Sequence, residues 1–534
     1  MVAALAIVLL TGCGEKRATP GDEAAKPGDQ KPAKVFNYVN TDEPKHLDPA
    51  FSYDVYEGIA SGLLFDGLVN FGKGTETVPA LAQSWEISED GTSYTFHLRE
   101  AKFSNGAPVT SADVQYSFSR LLWPETNSDR KYVVEEIAGA DAVSGGTTHT
   151  LQGLSTPDPK TVLIKLRRPY QPFLMKLAMP SGAIIPENSA GTARPSQEFE
   201  KNPVGTGPWV LDKWEHDQRL EFRRNEHYWG ERPKVDRFVY NVQVDDSVQR
   251  QLYKLGKIDQ YTPGFAVYLQ WIKDPEAKAA LVKVPEMNTY FFAFNNSKPA
   301  LKDKRVRQAI SHAINTTAIF EKLQLSRGAH AFGPVPDLVQ GYRPELKPRA
   351  YDPEKAKALL AEAGVKDLTI SLWERTEAQT DEMCAAAKAD LGKIGVHVNI
   401  LRRDIAAFRE AVYNGEPDMY YYSWWLDYPD IENALEPSFH SKNIPRKGNG
   451  CRYNNPEFDK LIDAAVAEAD PQKRIQMFQQ AEDMIIEDCP WVFLYHRRSD
   501  TAIQKWVKHF EPELLINASK CTDIDIDIGL KGNK

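Results

Sequence analysis

Two hydrophobic periods divide this chain, and their order restricts the folds open to it. Before residue 295 apolar residues tend to alternate with polar ones. Tyr94, Phe96 and Leu98 do so, and 93–98 therefore reads as a half-buried strand. The segments 161–166 and 289–295 also read as strands. After residue 295 the period becomes helical: Val306, Ala309, Ile310, Ala313 and Ile314 fall on one face. Asp352 and Pro353 supply a cap and a first-turn proline for a helix over 355–363, and Gly364 supplies its stop. Asn455-Pro456 and Asp470-Pro471 open two more helices in succession, the first burying Phe458, Leu461, Ile462 and Ala465. The short link between them predicts an antiparallel helical hairpin. A mixed α/β chain of 534 residues is too long for a single core.

No apolar run reaches the ~20 residues that a membrane-spanning helix needs. The one long apolar stretch, 1–10, runs into Thr11, Gly12 and Cys13. Leu10-Thr11-Gly12-Cys13 resembles the bacterial lipobox, in which the cysteine is diacylated and becomes the new N-terminus. It departs from that pattern in having no Lys or Arg before the apolar run. Residues 14–34 lack large apolar side chains and read as a disordered tether. The expectation is a lipid anchor on Cys13, placing the protein in the periplasm or on the outer face of the cell membrane. The membrane is then touched through the lipid alone. The competing reading of 1–13 is an accidental apolar start.

Several functions are disfavoured. A net charge of −9 does not supply the basic footprint that nucleic-acid binding needs. Neither H-E-x-x-H nor G-x-S-x-G occurs. Gly67, Gly72 and Lys73 approach a phosphate-binding loop, but Gly74 stands where a Ser or Thr would hold magnesium, so the segment reads as a glycine-rich turn. The 11 histidines show no metal-ligand spacing, and no C-x-x-C is present. No enzyme activity, cofactor or metal is expected.

Besides Cys13 the cysteines are Cys384, Cys451, Cys489 and Cys521. Cys451 precedes the helix opened by Pro456, and Cys489 follows the one opened by Pro471. An antiparallel hairpin brings these two points near each other, which makes Cys451 and Cys489 a candidate disulfide. The alternative is a small buried Cys489 beside Pro490 and a free surface thiol at Cys451.

The most unusual stretch is 420–430. Tyr420, Tyr421, Tyr422, Trp424, Trp425 and Tyr428 put six aromatic residues within nine positions, with Asp427 among them. Aromatic walls with few polar groups suit a ligand cleft, and a carboxylate there can pair with a ligand ammonium. A core strand followed by an Asp-x-Pro-Asp turn explains the same residues.

The stretch resembles a signature of the extracytoplasmic peptide-binding proteins of ATP-binding-cassette importers, the oligopeptide- and dipeptide-binding group within bacterial solute-binding protein family 5. Further blocks occur in that family's order. Leu81, Trp85, Asp90, Gly91, Tyr94 and Arg99 lead to Lys102, Phe103, Asn105, Gly106 and Asp113. Asn202 to Trp209 precede Arg224, Asn225, Tyr228, Trp229 and Gly230. Val235, Asp236 and Arg237 come next, then Gly256 and Asp259. Phe294, Asn295, Asp303 and Arg305 to Ile310 follow, and Tyr453 to Asp459 and Asp488 to Pro490 close the series.

The resemblance implies that Asp427, in Trp424-x-x-Asp427, meets the α-amino group of a bound peptide. It also points to Trp424, Trp425, Tyr428, Tyr421 and Tyr53 as ligand-binding residues. Some members carry an arginine at the position of Tyr421 and an acid at that of Tyr53. Both differences remove charge from the pocket.

The implied fold is a two-lobed α/β periplasmic-binding-protein architecture with a hinge and an extra subdomain in the first lobe. The expected boundaries are 35–74, 202–295 and 491–534 for lobe I, 75–201 for its extra subdomain, and 296–490 for lobe II. The implied function is capture of a short peptide by a monomer and its delivery to an inner-membrane permease. The alternatives are a same-fold protein for a nickel chelate, heme, oligosaccharide or opine and, more remotely, a cell-wall hydrolase.

Overall fold

The computed structural model describes residues 32–191, 195–376, 379–446, 448–515 and 519–532. Cys13 and most of the expected tether lie outside the described residues. Among the described residues no helix is long and apolar enough to cross a membrane.

The first lobe is built on a four-stranded sheet in the order Val35–Asn40, Arg237–Val242, Arg219–Arg224, Trp209–Glu215. Its first pair is parallel and the other two are antiparallel. A second four-stranded, all-antiparallel sheet lies within 75–201, in the order Ala82–Ile87, Ser93–Leu98, Thr161–Lys165, Leu154–Asp158. Tyr94, Phe96 and Leu98 point into its core, as their alternation predicts. The 67–74 segment enters a small hairpin between Val69–Phe71 and Thr77–Pro79.

The second lobe holds a six-stranded mixed sheet. Its order is Gly328–His330, Trp491–Arg497, Asn288–Phe294, Met419–Trp425, Leu368–Arg375, Val396–Arg403. Every residue of Asn288–Phe294 is buried, because helices cover both faces. Lys304–Ala313 packs on one face through Val306, Ala309, Ile310 and Ala313. Pro353–Glu362 lies against it, capped by Asp352 and followed by Gly364 at φ +71°. Pro456–Ala467 and Pro471–Asp488 form the expected hairpin on the other face. Phe458, Ile462 and Ala465 are buried there, while Leu461 is only half-buried.

The chain passes between the lobes at positions that differ from expectation. Asn288–Phe294 and Trp491–Arg497 are adjacent strands of the second-lobe sheet. Leu281–Val284 and Ser499–Ile503 pair in a separate three-stranded sheet with Gln260–Tyr261. The crossings are therefore at 285–287 and at Arg498, rather than at 295–296 and 490–491. A fully buried apolar strand has no period that assigns it to one lobe, so Pro299 and Pro490 misplace the boundary. The crossings are tied together by Glu286: Arg497 Nε donates to it at 2.9 Å, and Asn288 Nδ2 donates at 2.9 Å.

The candidate disulfide does not form: Cys451 and Cys489 are both free and buried, as is Cys384. The hairpin expectation neglected the sheet. Cys451 belongs to the core that includes Phe439, Phe458 and Trp491, where its thiol faces Asn449 Oδ1 at 3.3 Å. Cys489 belongs to the core on the Lys304–Ala313 side, with its sulfur 3.7 Å from the Arg307 carbonyl.

Candidate functional site

The Met419–Trp425 strand divides the aromatic cluster by its pleat. Tyr420, Tyr422 and Trp424 share one face, and Tyr421 and Trp425 the other. Tyr421 is 3% exposed, packs against Tyr290 and Phe292, and shares a 2.6 Å hydrogen bond with the Tyr495 hydroxyl. It lies inside the second-lobe core rather than in a cleft. Trp425, at the strand's end, is 39% exposed.

The chain then turns. Asn433 accepts a bond from Trp424 Nε1 at its carbonyl, 2.8 Å, and its side-chain oxygen accepts the Asp427 N–H at 2.8 Å. Asp430 caps the helix Ile431–Phe439 and receives two bonds from Arg474, at 2.7 and 3.0 Å. The turn reading of Asp-x-Pro-Asp is therefore correct for Asp430. Asp427 is left pointing outward with its side chain 36% exposed.

What faces Asp427 comes from the first lobe. Arg130 Nη1 lies 3.3 Å from Oδ1, and the Tyr132 hydroxyl donates to Oδ2 at 2.9 Å. Arg130 is held by the carbonyls of Ser52, at 2.8 Å, and of Tyr53. Its guanidinium lies 5.6 Å from the half-buried Tyr53 ring. Tyr53 and Asp427 are thus brought to one place, bridged by Arg130. Burial, and then the Asp427 charge, push the Tyr132 hydroxyl well above its ordinary range, so it remains a donor. Burial disfavours the Arg130 charge, but Asp427 and Tyr132 outweigh it and the pKa moves up.

Beside this contact the lobes meet through a buried polar network. Tyr170 donates to Glu432 at 2.9 Å, and the Tyr428 hydroxyl lies 3.3 Å from the same carboxylate. Lys176, 5% exposed, sits among the rings of Tyr170, Tyr132 and Tyr428 at 4.6, 5.4 and 5.7 Å. Tyr428 therefore lies at the lobe interface as a buried residue.

Further cations surround Tyr422. Arg409 Nε donates to its hydroxyl at 3.3 Å, and Arg375 lies 5.5 Å over its ring. These arginines, with Arg130, Tyr132 and Lys176, escape a reading of local sequence because no motif spans them. Among the described residues no group of His, Cys, Asp or Glu is arranged to hold a metal ion. A cavity of about 240 Å³ lies elsewhere in the second lobe, lined by Ser311, Lys347, Arg349 and Trp491.

Two lobes joined by paired crossings, with a carboxylate and aromatic rings where they meet, are the architecture of two-lobed solute-binding proteins. Residues 76–446 match the model of the bacterial extracellular solute-binding proteins, family 5, and the chain belongs to that family. It is 29% identical to the dipeptide-binding protein of Escherichia coli over 506 residues, covering 90% of this chain and 92% of that protein. It is 30% identical to heme-binding protein A of Haemophilus influenzae, covering 92% of each. The ABC transporter-associated periplasmic binding protein DppA from Helicobacter pylori, in complex with the peptide STSA, superposes with a TM-score of 0.77. That match has 27% identity and covers 92% of this chain and 98% of the other. The family is a class of extracytoplasmic binding proteins, not of enzymes.

Proposed function

We propose that this protein captures short peptides outside the cytoplasmic membrane and presents them to the permease of an ATP-binding-cassette importer, with no catalytic step of its own. The observation that carries this reading is the position of Asp427. It is a partly exposed carboxylate at the meeting of the lobes, with Trp425 nearby in sequence and Tyr53 across the cleft. Such a carboxylate suits the positively charged end of a peptide. Arg375 and Arg409, around Tyr422, are the cations proposed to face its carboxylate end. Main-chain hydrogen bonds to an extended ligand would add affinity with little dependence on side chains. Dipeptide-binding and peptide-complexed relatives support the same reading. The protein is proposed to act as a monomer, anchored through a lipid on Cys13.

Isothermal titration calorimetry with trialanine tests the reading: saturable binding is expected, and the peptide should be recovered uncleaved. A second reading, binding of a non-peptide solute, is favoured by the similarity to heme-binding protein A. Titration with heme in place of trialanine separates the two.

A further inference from the structure

The carboxylate offered to a ligand already has two partners within the chain. Arg130 reaches Asp427 Oδ1 at 3.3 Å and Tyr132 reaches Oδ2 at 2.9 Å. The bonds that hold Arg130 are unequal. Three tie it to its own lobe: Nε to the Ser52 carbonyl at 2.8 Å, Nη2 to the Tyr53 carbonyl, and Nη1 to the Tyr132 hydroxyl at 2.6 Å. The bond to Asp427 is the longest and the only one of these that crosses the cleft. Opening the hinge breaks that bond and leaves the others intact, so Arg130 is a fixed feature of the first lobe that meets Asp427 on closure.

Charge gives this contact a consequence for selectivity. Arg130 places a first-lobe cation on Asp427 itself, at 3.3 Å. A ligand ammonium settling on Asp427 in the closed molecule meets the like charge of Arg130 in a partly dehydrated space, where repulsion is strong. A neutral donor, such as an amide N–H, avoids that repulsion. It can still reach the carboxylate, which has about four lone-pair sites.

We propose that Arg130 is a specificity-determining residue that competes with a ligand's ammonium for Asp427. It closes the lobes through its own bond and shifts preference from free towards blocked amino ends. The inference rests on the peptide reading of the cleft for its ligand, but not for its closure.

Two measurements test it. The first is X-ray scattering on protein stripped of ligand by unfolding and refolding. Arg130→Gln should have a larger radius of gyration than wild type. Asp427→Asn, which weakens the same contact from the other lobe, should also be larger. A radius unchanged in both variants overturns the proposed closure. The second is calorimetry with trialanine and N-acetyl-trialanine. Wild type should distinguish them weakly, while Arg130→Gln should gain about tenfold in preference for the free amine. An unchanged ratio overturns the competition. If neither peptide binds to any form, the peptide reading and the proposed selectivity both fail, and the scattering result still decides the closure.

Discussion

Arg497 lies 5.2 Å over the ring of Trp425 while its Nε donates to Glu286 at 2.9 Å. The exposed aromatic ring at the end of the cleft strand therefore rests on the cation that joins the two interlobe crossings. Trp425 is proposed to touch the ligand, and a contact there would bear on Arg497 and through it on Glu286. Trp425→Ala is expected to weaken trialanine binding roughly tenfold, through lost aromatic contact and a loosened hinge. The urea midpoint should stay near that of wild type, because the ring is 39% exposed. Calorimetry and a urea titration on the same preparation check both halves.

Asp427→Asn removes a charge and leaves Arg130 facing a neutral amide. Because Arg130 competes for this carboxylate, trialanine binding is expected to weaken by less than about 1.5 kcal/mol, below the range for an uncontested charge-assisted hydrogen bond. Unchanged affinity would remove Asp427 from the ligand's contacts.

Asp430 and Arg474 are both buried and paired at 2.7 Å. Asp430→Asn keeps an amide able to cap the helix Ile431–Phe439 but leaves Arg474 without its full counter-charge. A loss of about 3–5 kcal/mol is expected in urea unfolding, with partial recovery on adding Arg474→Met. Neither side chain hydrogen-bonds to Asp427, so the loss should appear in stability before it appears in affinity.

His496 lies beside the crossing strands with Nδ1 3.0 Å from the Asn288 carbonyl. Burial lowers its pKa from the ordinary 6.5 to about 4. The folded state thus binds this proton less readily than the unfolded state. The stability that follows is fully present above pH 6.5 and is lost as the pH falls through 4. The loss approaches about 3 kcal/mol below that point. His496→Gln should remove this part of the acid sensitivity in unfolding curves recorded between pH 7 and 4.

The periodic parts of the fold are legible in the sequence. Tyr94, Phe96 and Leu98 alternate because one face of their sheet is buried, and Val306, Ala309, Ile310 and Ala313 mark one helix side. The crossings are not legible, because Asn288–Phe294 is buried on both faces and shows no period. The aromatic cluster reads as one patch in sequence, yet the pleat splits it, and on the face shared by Tyr421 and Trp425 the first lies in the core while the second, at the strand's end, is exposed. Asp427 is visible through its motif. Arg130 is not, since it lies 297 residues away and nothing local marks it as a partner.

Cys13 is the proposed anchor on the strength of Leu10, Thr11 and Gly12 before it. Cells fed labelled palmitate should incorporate it into the wild-type protein, and Cys13→Ser should move the protein to the soluble fraction. An unlabelled wild-type protein would rule the anchor out.

Native mass spectrometry of the protein purified from its host tests the central claim most directly, since ligand held between the lobes is carried along and can be released and fragmented. The account predicts a population of short peptides, displaced by excess trialanine. A single non-peptide solute, such as heme, a nickel chelate or a sugar, that trialanine does not displace would contradict it.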